Sequence, residues 1–314
     1  MDEKKKKIVF MGTPEFAAIV LSYVLKWSKA NVVGVYTQPD KPCGRGKQIK
    51  CSAVKDLALK HNLPIFQPAS FKQPESVARL QELEPDFLVV AAYGLILPAQ
   101  VLDVPKIAPL NVHASLLPKY RGAAPIQRAI LNGEKVTGIT IMQMEPGMDT
   151  GPILLQRAVA IGLEDTAASL HNELAHLGGE MVVEAMEKFH SLRPILQDPK
   201  MVSYAPKLSK EEGLINFNRP VLEVHNQVRA LFPWPGAFFY FQKNNSKQIK
   251  VNVYPGYIGP ELDTNLPPGH IELKGNFLGF ACKDKYYLVG KLKPANCKEM
   301  TAREFYCGFL SKCK

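Results

Sequence analysis

Apolar residues along this chain fall into short runs of strand type that alternate with longer stretches of helical spacing. Lys7–Gly12 is mostly apolar and predicts a strand. Pro14–Ser28 carries Phe16, Ile19, Val20, Tyr23, Val24 and Trp27 at the spacing of one helix face. Thr13 stands at the N-cap position and Pro14 at the first helical position, a start signal for that helix. Asn31–Thr37 predicts a second strand, Ser52–His61 a helix, Pro64–Gln67 a short strand and Pro74–Leu83 a helix. Asp86–Ala91 and Ile107–Val112 are strongly apolar strands, and a helix near Ala124–Asn132 follows the Ser115–Gly122 loop. Strand and helix in turn predict an α/β fold, a Rossmann-like parallel sheet with helices on both faces. Such sheets bind ligands beyond the carboxyl ends of their strands.

Further on, Thr137–Met144 and Ile153–Ala160 read as a strand pair joined by a turn that contains Asp149. Thr166–Phe189 has the length and spacing of a long helix, capped by Asp165 or Thr166 and expected to break near Gly178 and Gly179. From Ser191 to Ser209 no period is evident, and Pro194, Pro199 and Pro206 punctuate the stretch, which reads as a linker. Beyond it, strand-like runs at Ala237–Gln242, Gln248–Tyr254, Gly269–Leu273, Phe277–Ala281 and Tyr286–Lys293 dominate, interrupted by one helix over Val221–Ala230. Short strands separated by turn residues predict a small β-barrel. The expected division is residues 1–190, a linker at 191–208, and a barrel at 209–314. The first strand ends in Met11-Gly-Thr-Pro14, so the G-x-G-x-x-G dinucleotide fingerprint is absent there, as is a GxxxxGK[ST] phosphate loop.

Composition changes this picture little. At 314 residues the chain is long enough for two domains, and 46% hydrophobic residues suffice for proper cores. No apolar run reaches membrane-spanning length, and the apolar stretch after the first lysines is too short for a signal-peptide core. A cytoplasmic protein, most simply a monomer, is expected. The six cysteines form no C-x-x-C pair, which gives little support to a disulfide framework or a zinc site. Charge is more informative. The net charge is +10, and residues 208–314 hold 15 Lys and Arg against 9 Asp and Glu, the denser excess. From Lys41 to Lys55 there are five basic residues and no acidic one, with Gly44 and Gly46 between them. A solvated surface loop is one reading of this segment; a phosphate-binding loop is the other.

Candidate chemistry gathers in Asn111-Val-His113 at the end of an apolar strand and in Met144-Glu-Pro-Gly-Met-Asp-Thr-Gly151 downstream. Residues two apart in a strand share a face, so Asn111 and His113 point the same way. An amide donor beside an imidazole suits a developing oxyanion and a moving proton, and Asp149 in a Gly/Pro-rich turn adds a carboxylate. Alone, an Asn or His near a strand end is more often structural than catalytic. A Ser-His-Asp hydrolase built from Ser115, His113 and Asp149 lacks the G-x-S-x-G turn. Two candidate ligands, His113 and Asp149, are too few to define a metal site.

Longer words in the sequence carry a resemblance. Asn111-Val-His113, Ser115-Leu-Leu-Pro-Lys-Tyr-Arg-Gly122 and Met148-Asp-Thr-Gly151 together resemble the 10-formyltetrahydrofolate-dependent formyltransferases. Gly12-Thr-Pro-Glu-Phe16, Thr37-Gln-Pro-Asp-Lys-Pro42, Gly44-Arg-Gly-Lys47, Ala92-Tyr-Gly-Leu-Ile-Leu-Pro98, Lys207-Leu-Ser-Lys-Glu-Glu212 and Pro233-Trp-Pro235 extend the likeness over nearly the whole chain. The resemblance implies an OB-like barrel at the C-terminal end. It implies transfer of a formyl group from 10-formyltetrahydrofolate, the co-substrate, to the α-amine of methionine on initiator tRNA, for translation initiation, with no metal. It implies Asn111, His113 and Asp149 as the catalytic set. Folate would be bound by Tyr93, Gly94, Leu95, Ile96 and Leu97, and by Ser115, Leu116, Leu117 and Pro118. The tRNA would be held by Lys41, Arg45, Lys47 and Lys50 in the basic loop, with Arg45 entering the acceptor end, and by Lys207 and Lys210. Two alternatives stay open: a folate-dependent formyltransferase acting on a small amine, and a nucleic-acid-binding protein without catalysis on the same scaffold.

Overall fold

A computed structural model describes residues 5–43, 48–242, 248–262 and 266–311, without the side chains of residues 42–50. The chain divides into two units, one of residues 1–125, 137–160 and 171–205, the other of residues 126–136, 161–170 and 206–314. Among the described residues no helix is long and apolar enough to cross a membrane.

Up to residue 205 the elements run β1 (Lys6–Gly12), α1 (Glu15–Lys26), β2 (Ala30–Tyr36), β3 (Lys41–Cys43), β4 (Gln48–Lys50), α2 (Ala53–Lys60), β5 (Ile65–Phe66) and α3 (Pro74–Gln81). They continue with β6 (Phe87–Ala91), α4 (Ala99–Leu102), β7 (Ala108–His113), β8 (Arg121–Gly122), α5 (Pro125–Leu131), β9 (Val136–Gln143), β10 (Ile153–Ala160), α6 (Ala167–Glu187) and β11 (Tyr204–Ala205). Seven strands form one sheet in the order β10-β9-β7-β6-β1-β2-β5. The pairs β2–β5, β1–β2, β1–β6 and β6–β7 are parallel, as the strand-helix alternation predicts. β7–β9 is antiparallel, so the Rossmann-like sheet is mixed at that side. β6 and β7 are buried at every residue, which is why they read as unbroken apolar runs.

The two helix-start expectations resolve differently. α1 begins at Glu15 with Pro14 at the cap position and no side-chain cap, because the Thr13 hydroxyl donates instead to the Tyr93 carbonyl (2.9 Å). At the start of α6 it is Thr166, not Asp165, whose hydroxyl accepts from the Ser169 N–H (3.1 Å). The break expected at Gly178 and Gly179 does not occur; α6 runs unbroken through both. A Cβ on Gly178 would lie 2.6 Å from Val112 Cγ1 of β7, and one on Gly179 would lie 2.5 Å from Tyr23 Cδ2 of α1. These glycines are close-approach residues that seat the helix on its neighbours, and packing outweighs their weak helix propensity.

The aperiodic stretch after α6 is tied into the first unit by backbone contacts. Ile195 bridges Ile153, and β11 pairs in parallel with β8. Such bonding leaves no side-chain period to read.

From residue 206 on come α7 (Val221–Ala230), β12 (Ala237–Phe241), β13 (Ile249–Val253), β14 (Tyr257–Glu261), β15 (Ile271–Lys274), β16 (Phe277–Ala281), β17 (Lys285–Val289), β18 (Lys291–Pro294), β19 (Met300–Thr301) and α8 (Ala302–Phe305). Two four-stranded antiparallel sheets result, β12-β13-β18-β19 and β14-β17-β16-β15. Val224, Val228, Phe239, Val251, Phe280, Tyr287, Leu292 and Phe305 share their core, a barrel-like arrangement. The single run expected over Tyr286–Lys293 divides at Gly290 into two strands that serve different sheets. β14 escaped sequence reading because four of its five residues are exposed and it contains Gly259 and Pro260.

Gly178→Ala tests the seating of α6. Helix propensity alone would stabilise this variant; the contact with buried Val112 should instead cost about 1–3 kcal/mol in urea unfolding. A variant as stable as the parent, or more so, would refute close approach as the reason for the glycine.

Candidate active site

β7 carries Asn111 and His113 to the carboxyl edge of the sheet, 8% and 6% exposed respectively. Both reach the same carboxylate. Asn111 Nδ2 donates to Asp149 Oδ1 (3.4 Å), and His113 Nδ1 lies 3.7 Å from Asp149 Oδ2. The Gly122 N–H also donates to Oδ2 (2.8 Å). Asp149 sits in the turn between β9 and β10 with φ +53°, a left-handed conformation that Asp tolerates better than most residues. Gly147, two residues earlier, has φ +129°, and the sharp turn aims the carboxylate back at β7.

On the other side of the imidazole, Nε2 stands 2.8 Å from the Tyr120 carbonyl. A carbonyl only accepts, so Nε2 carries a hydrogen and Nδ1 is the nitrogen turned to Asp149. The remaining Asn111 amide hydrogen and its carbonyl oxygen have no protein partner among the described residues, which leaves them for a ligand. The arrangement can therefore offer the open Asn111 hydrogen to an oxygen that gains charge, with the imidazole Nδ1 and a carboxylate beside it to pass a proton directly or through water.

A layer of residues holds this group, and of these sequence reading missed Gln197, Thr140 and Gln156. Gln197 Nε2 donates to the carbonyls of both Asp149 and Gly151 (2.8 Å each), while its Oε1 accepts from Arg121 Nε (3.1 Å) and Nη2 (2.8 Å). Buried Arg121 thus grips the Asp149 turn through Gln197. Gln197 lies in the aperiodic stretch, where only the tertiary contact gives it meaning. Buried Thr140 on β9 donates to the Ser115 carbonyl (2.6 Å) and accepts from the Leu117 N–H (3.1 Å) and from Gln156 Nε2 (2.9 Å). Ser115, 1% exposed, donates to the Lys119 carbonyl (2.6 Å) and accepts from the Tyr120 N–H (3.2 Å). Its hydroxyl braces the loop, and the Ser-His-Asp hydrolase reading finds no free nucleophile there.

The other candidate residues fall into separate places. Tyr93–Leu97 leaves β6, the parallel neighbour of β7, from the same edge, with Val90 opposite Asn111. Tyr93 and Leu97 are buried, Leu95 partly buried, and these three pack in one cluster with Val90 and Met144. Gly94, at φ +82°, and Ile96, 93% exposed, face outward. Burial pushes the Tyr93 hydroxyl well above the usual tyrosine range and that of nearby Tyr36 up to about 12, so both stay neutral. Leu117 packs in a second cluster with Met142 and Ile153, and Leu116 and Pro118 are half-buried. Lys41 is exposed, and its backbone pairs with Lys50 across the β3–β4 hairpin. Arg45 and Lys47 lie outside the described residues, as does the Lys50 side chain. Lys207 and Lys210 are exposed. Among the described residues no group of three His, Cys, Asp or Glu is placed to hold a metal.

Comparison with known proteins places this geometry in a family. Residues 6–186 match the formyl transferase model, and residues 207–310 match that of the formyl transferase C-terminal domain. The methionyl-tRNA formyltransferase of Nitratidesulfovibrio vulgaris strain Hildenborough is 51% identical over 311 residues, covering 98% of this chain and 94% of that protein. That of Acetivibrio thermocellus is 45% identical, covering 96% of each. In fold, the chain is similar to an N-formyltransferase from Helicobacter canadensis solved with folinic acid and dTDP-3-aminofucose (TM-score 0.65, 19% identity, 91% of this chain and 98% of that one). It is also similar to HypX from Aquifex aeolicus in complex with tetrahydrofolic acid (TM-score 0.61, 17% identity, 98% of this chain and 48% of that one). The chain belongs to the formyl transferase family.

Thr140→Val keeps the volume of the side chain and removes all three hydrogen bonds of its hydroxyl. A stability loss of about 1–3 kcal/mol is expected, since the Leu117 N–H is then left buried and unpaired. Unchanged thermal unfolding would show that Thr140 does not hold the loop.

Proposed function

We propose that this formyl transferase moves the formyl group of 10-formyltetrahydrofolate to the α-amine of methionine esterified to initiator tRNA. The observation that carries this reading is likeness through both matched regions to methionyl-tRNA formyltransferases. The Asn111–His113–Asp149 group by itself fits a small amine equally well; the C-terminal region and the basic loop favour a tRNA.

Each residue then has a defined task. Asn111 Nδ2, with one hydrogen on Asp149 and one open, donates to the formyl oxygen as it becomes an oxyanion. His113, held at Nε2 by the Tyr120 carbonyl, turns Nδ1 to Asp149 and relays the proton that the attacking amine must lose. Asp149 receives that proton directly or through water, and collapse of the tetrahedral adduct breaks the bond from the formyl carbon to N10, which takes up a proton as tetrahydrofolate leaves. No covalent enzyme intermediate is needed, because a neutral amine is already a good nucleophile. The 93–97 loop supplies backbone polar groups and an apolar wall for the pterin, with residues 115–118 bordering the same pocket. The basic loop at 41–50, Lys207 and Lys210 meet tRNA phosphates, with Arg45 entering the acceptor end, and the basic C-terminal region adds contacts to acceptor-stem phosphates.

Formyl transfer assayed with methionyl initiator tRNA, free methionine and amino-sugar nucleotides tests the substrate class. Transfer to a small amine and none to the tRNA would overturn the reading. Asn111→Ala and His113→Ala should each lower kcat by about 100- to 1,000-fold with tRNA affinity largely kept. Wild-type rates in either would sink the chemistry. Arg45→Ala should weaken productive tRNA binding and reduce the slope of log K against log salt by roughly 0.7–0.9. An unaltered slope would remove Arg45 from the tRNA contact.

A further inference from the structure

Three loops leave neighbouring parallel strands at one edge of the sheet, after β1, β2 and β6, and one side chain joins them. Gln38 follows β2. Its Nε2 donates to the Tyr93 carbonyl (3.2 Å) in the loop after β6, and its Oε1 accepts from Lys41 Nζ (3.0 Å) at the stem of the basic hairpin. Its backbone N–H donates to Thr13 Oγ1 (3.4 Å) after β1, and that hydroxyl donates to the same Tyr93 carbonyl. The Gln38 carbonyl accepts from Gln67 Nε2 (2.9 Å), which also donates to Asp40 Oδ1 (3.0 Å). Asp40 pairs with Lys55, and these bonds hold the Asp40 carboxyl below the usual carboxylate range. The 93–97 loop also runs close to Gln38, since a Cβ added to Gly94 would overlap Gln38 Nε2.

We propose that Gln38 is a positioning residue that couples folate binding at the 93–97 loop to tRNA binding at Lys41, so that each ligand tightens the other. The inference rests on the proposed function. An amide carries its donor and its acceptor on one rigid plane. Fixing Nε2 on the Tyr93 carbonyl therefore also fixes the direction in which Oε1 receives Lys41. A folate that sets the position of the Tyr93 carbonyl sets Gln38 and through it Lys41, so a tRNA that takes up Lys41 meets a contact already placed. By linkage the effect is reciprocal.

The test is the affinity of the full chain for tetrahydrofolate, measured by calorimetry with and without saturating methionyl initiator tRNA. The wild type should bind tetrahydrofolate about 5- to 10-fold more tightly with the tRNA present. Gln38→Ala should bring that ratio close to one. Gln38→Glu keeps an acceptor for Lys41 but sets an oxygen against the Tyr93 carbonyl. It should lose the coupling as well while keeping tRNA affinity nearer to wild type. A residue that only stabilised the fold would not move this ratio. A ratio of one in the wild type with both ligands bound, or an undiminished ratio in the two variants, overturns the role of Gln38 alone. Failure of the wild type to bind tRNA at all overturns the proposed function and this inference together.

Discussion

The carboxylate of Asp149 is the point on which the site depends. It receives the amide of Asn111, faces the ring of His113 and accepts the N–H of Gly122, while its own carbonyl is held by Gln197. Strand β7, Gly122 of β8 and the turn after β9 therefore meet on one residue. Half-buried carboxylate oxygens need such partners, because desolvating a charge without them is costly. The same partners orient the amide and the imidazole, so the requirement to satisfy the charge also arranges the donors.

Rigidity around that point comes from close approach and from polar groups that are fully used. β7 is buried along its length and is held between β6 and β9, with α6 seated on Val112 through Gly178. The loop after His113 is tied down by Ser115, Thr140 and Gln156, whose side chains serve mainly backbone groups. A site built in this way keeps its geometry before any ligand arrives, which is what electrostatic stabilisation of a short-lived oxyanion requires. Over the neighbouring loops, Gln38 extends the same economy of groups towards the segment where the chain is most basic.

What could be read from sequence followed from periodicity. The fully buried strands β6 and β7 and the helix α1 stand out because their environment is uniform along their length. Elements whose environment changes within a few residues did not. Gly290 divides one apolar run into two strands of different sheets, and β14 is too exposed to show a pattern. Gly178 and Gly179 looked like a break because propensity is local, whereas the reason for a missing side chain lies on the neighbouring elements.

By itself, the sequence determined the alternation of the main strands and helices, the edge at which Asn111 and His113 emerge, and, through its longer motifs, the family. These depend on local spacing and on residue identity, which are written in the chain. Only the tertiary structure decided that β9 runs antiparallel to β7, that Asp149 reaches both ring and amide, and that Gln197, Thr140 and Gln38 hold the surrounding loops. Apart from the bond between Gln38 and Lys41, three positions apart, those are contacts between residues from 16 to 76 positions apart in the chain. Nothing in a residue's immediate neighbours encodes such a partner; it is selected when the sheet forms and buried polar groups must find one another.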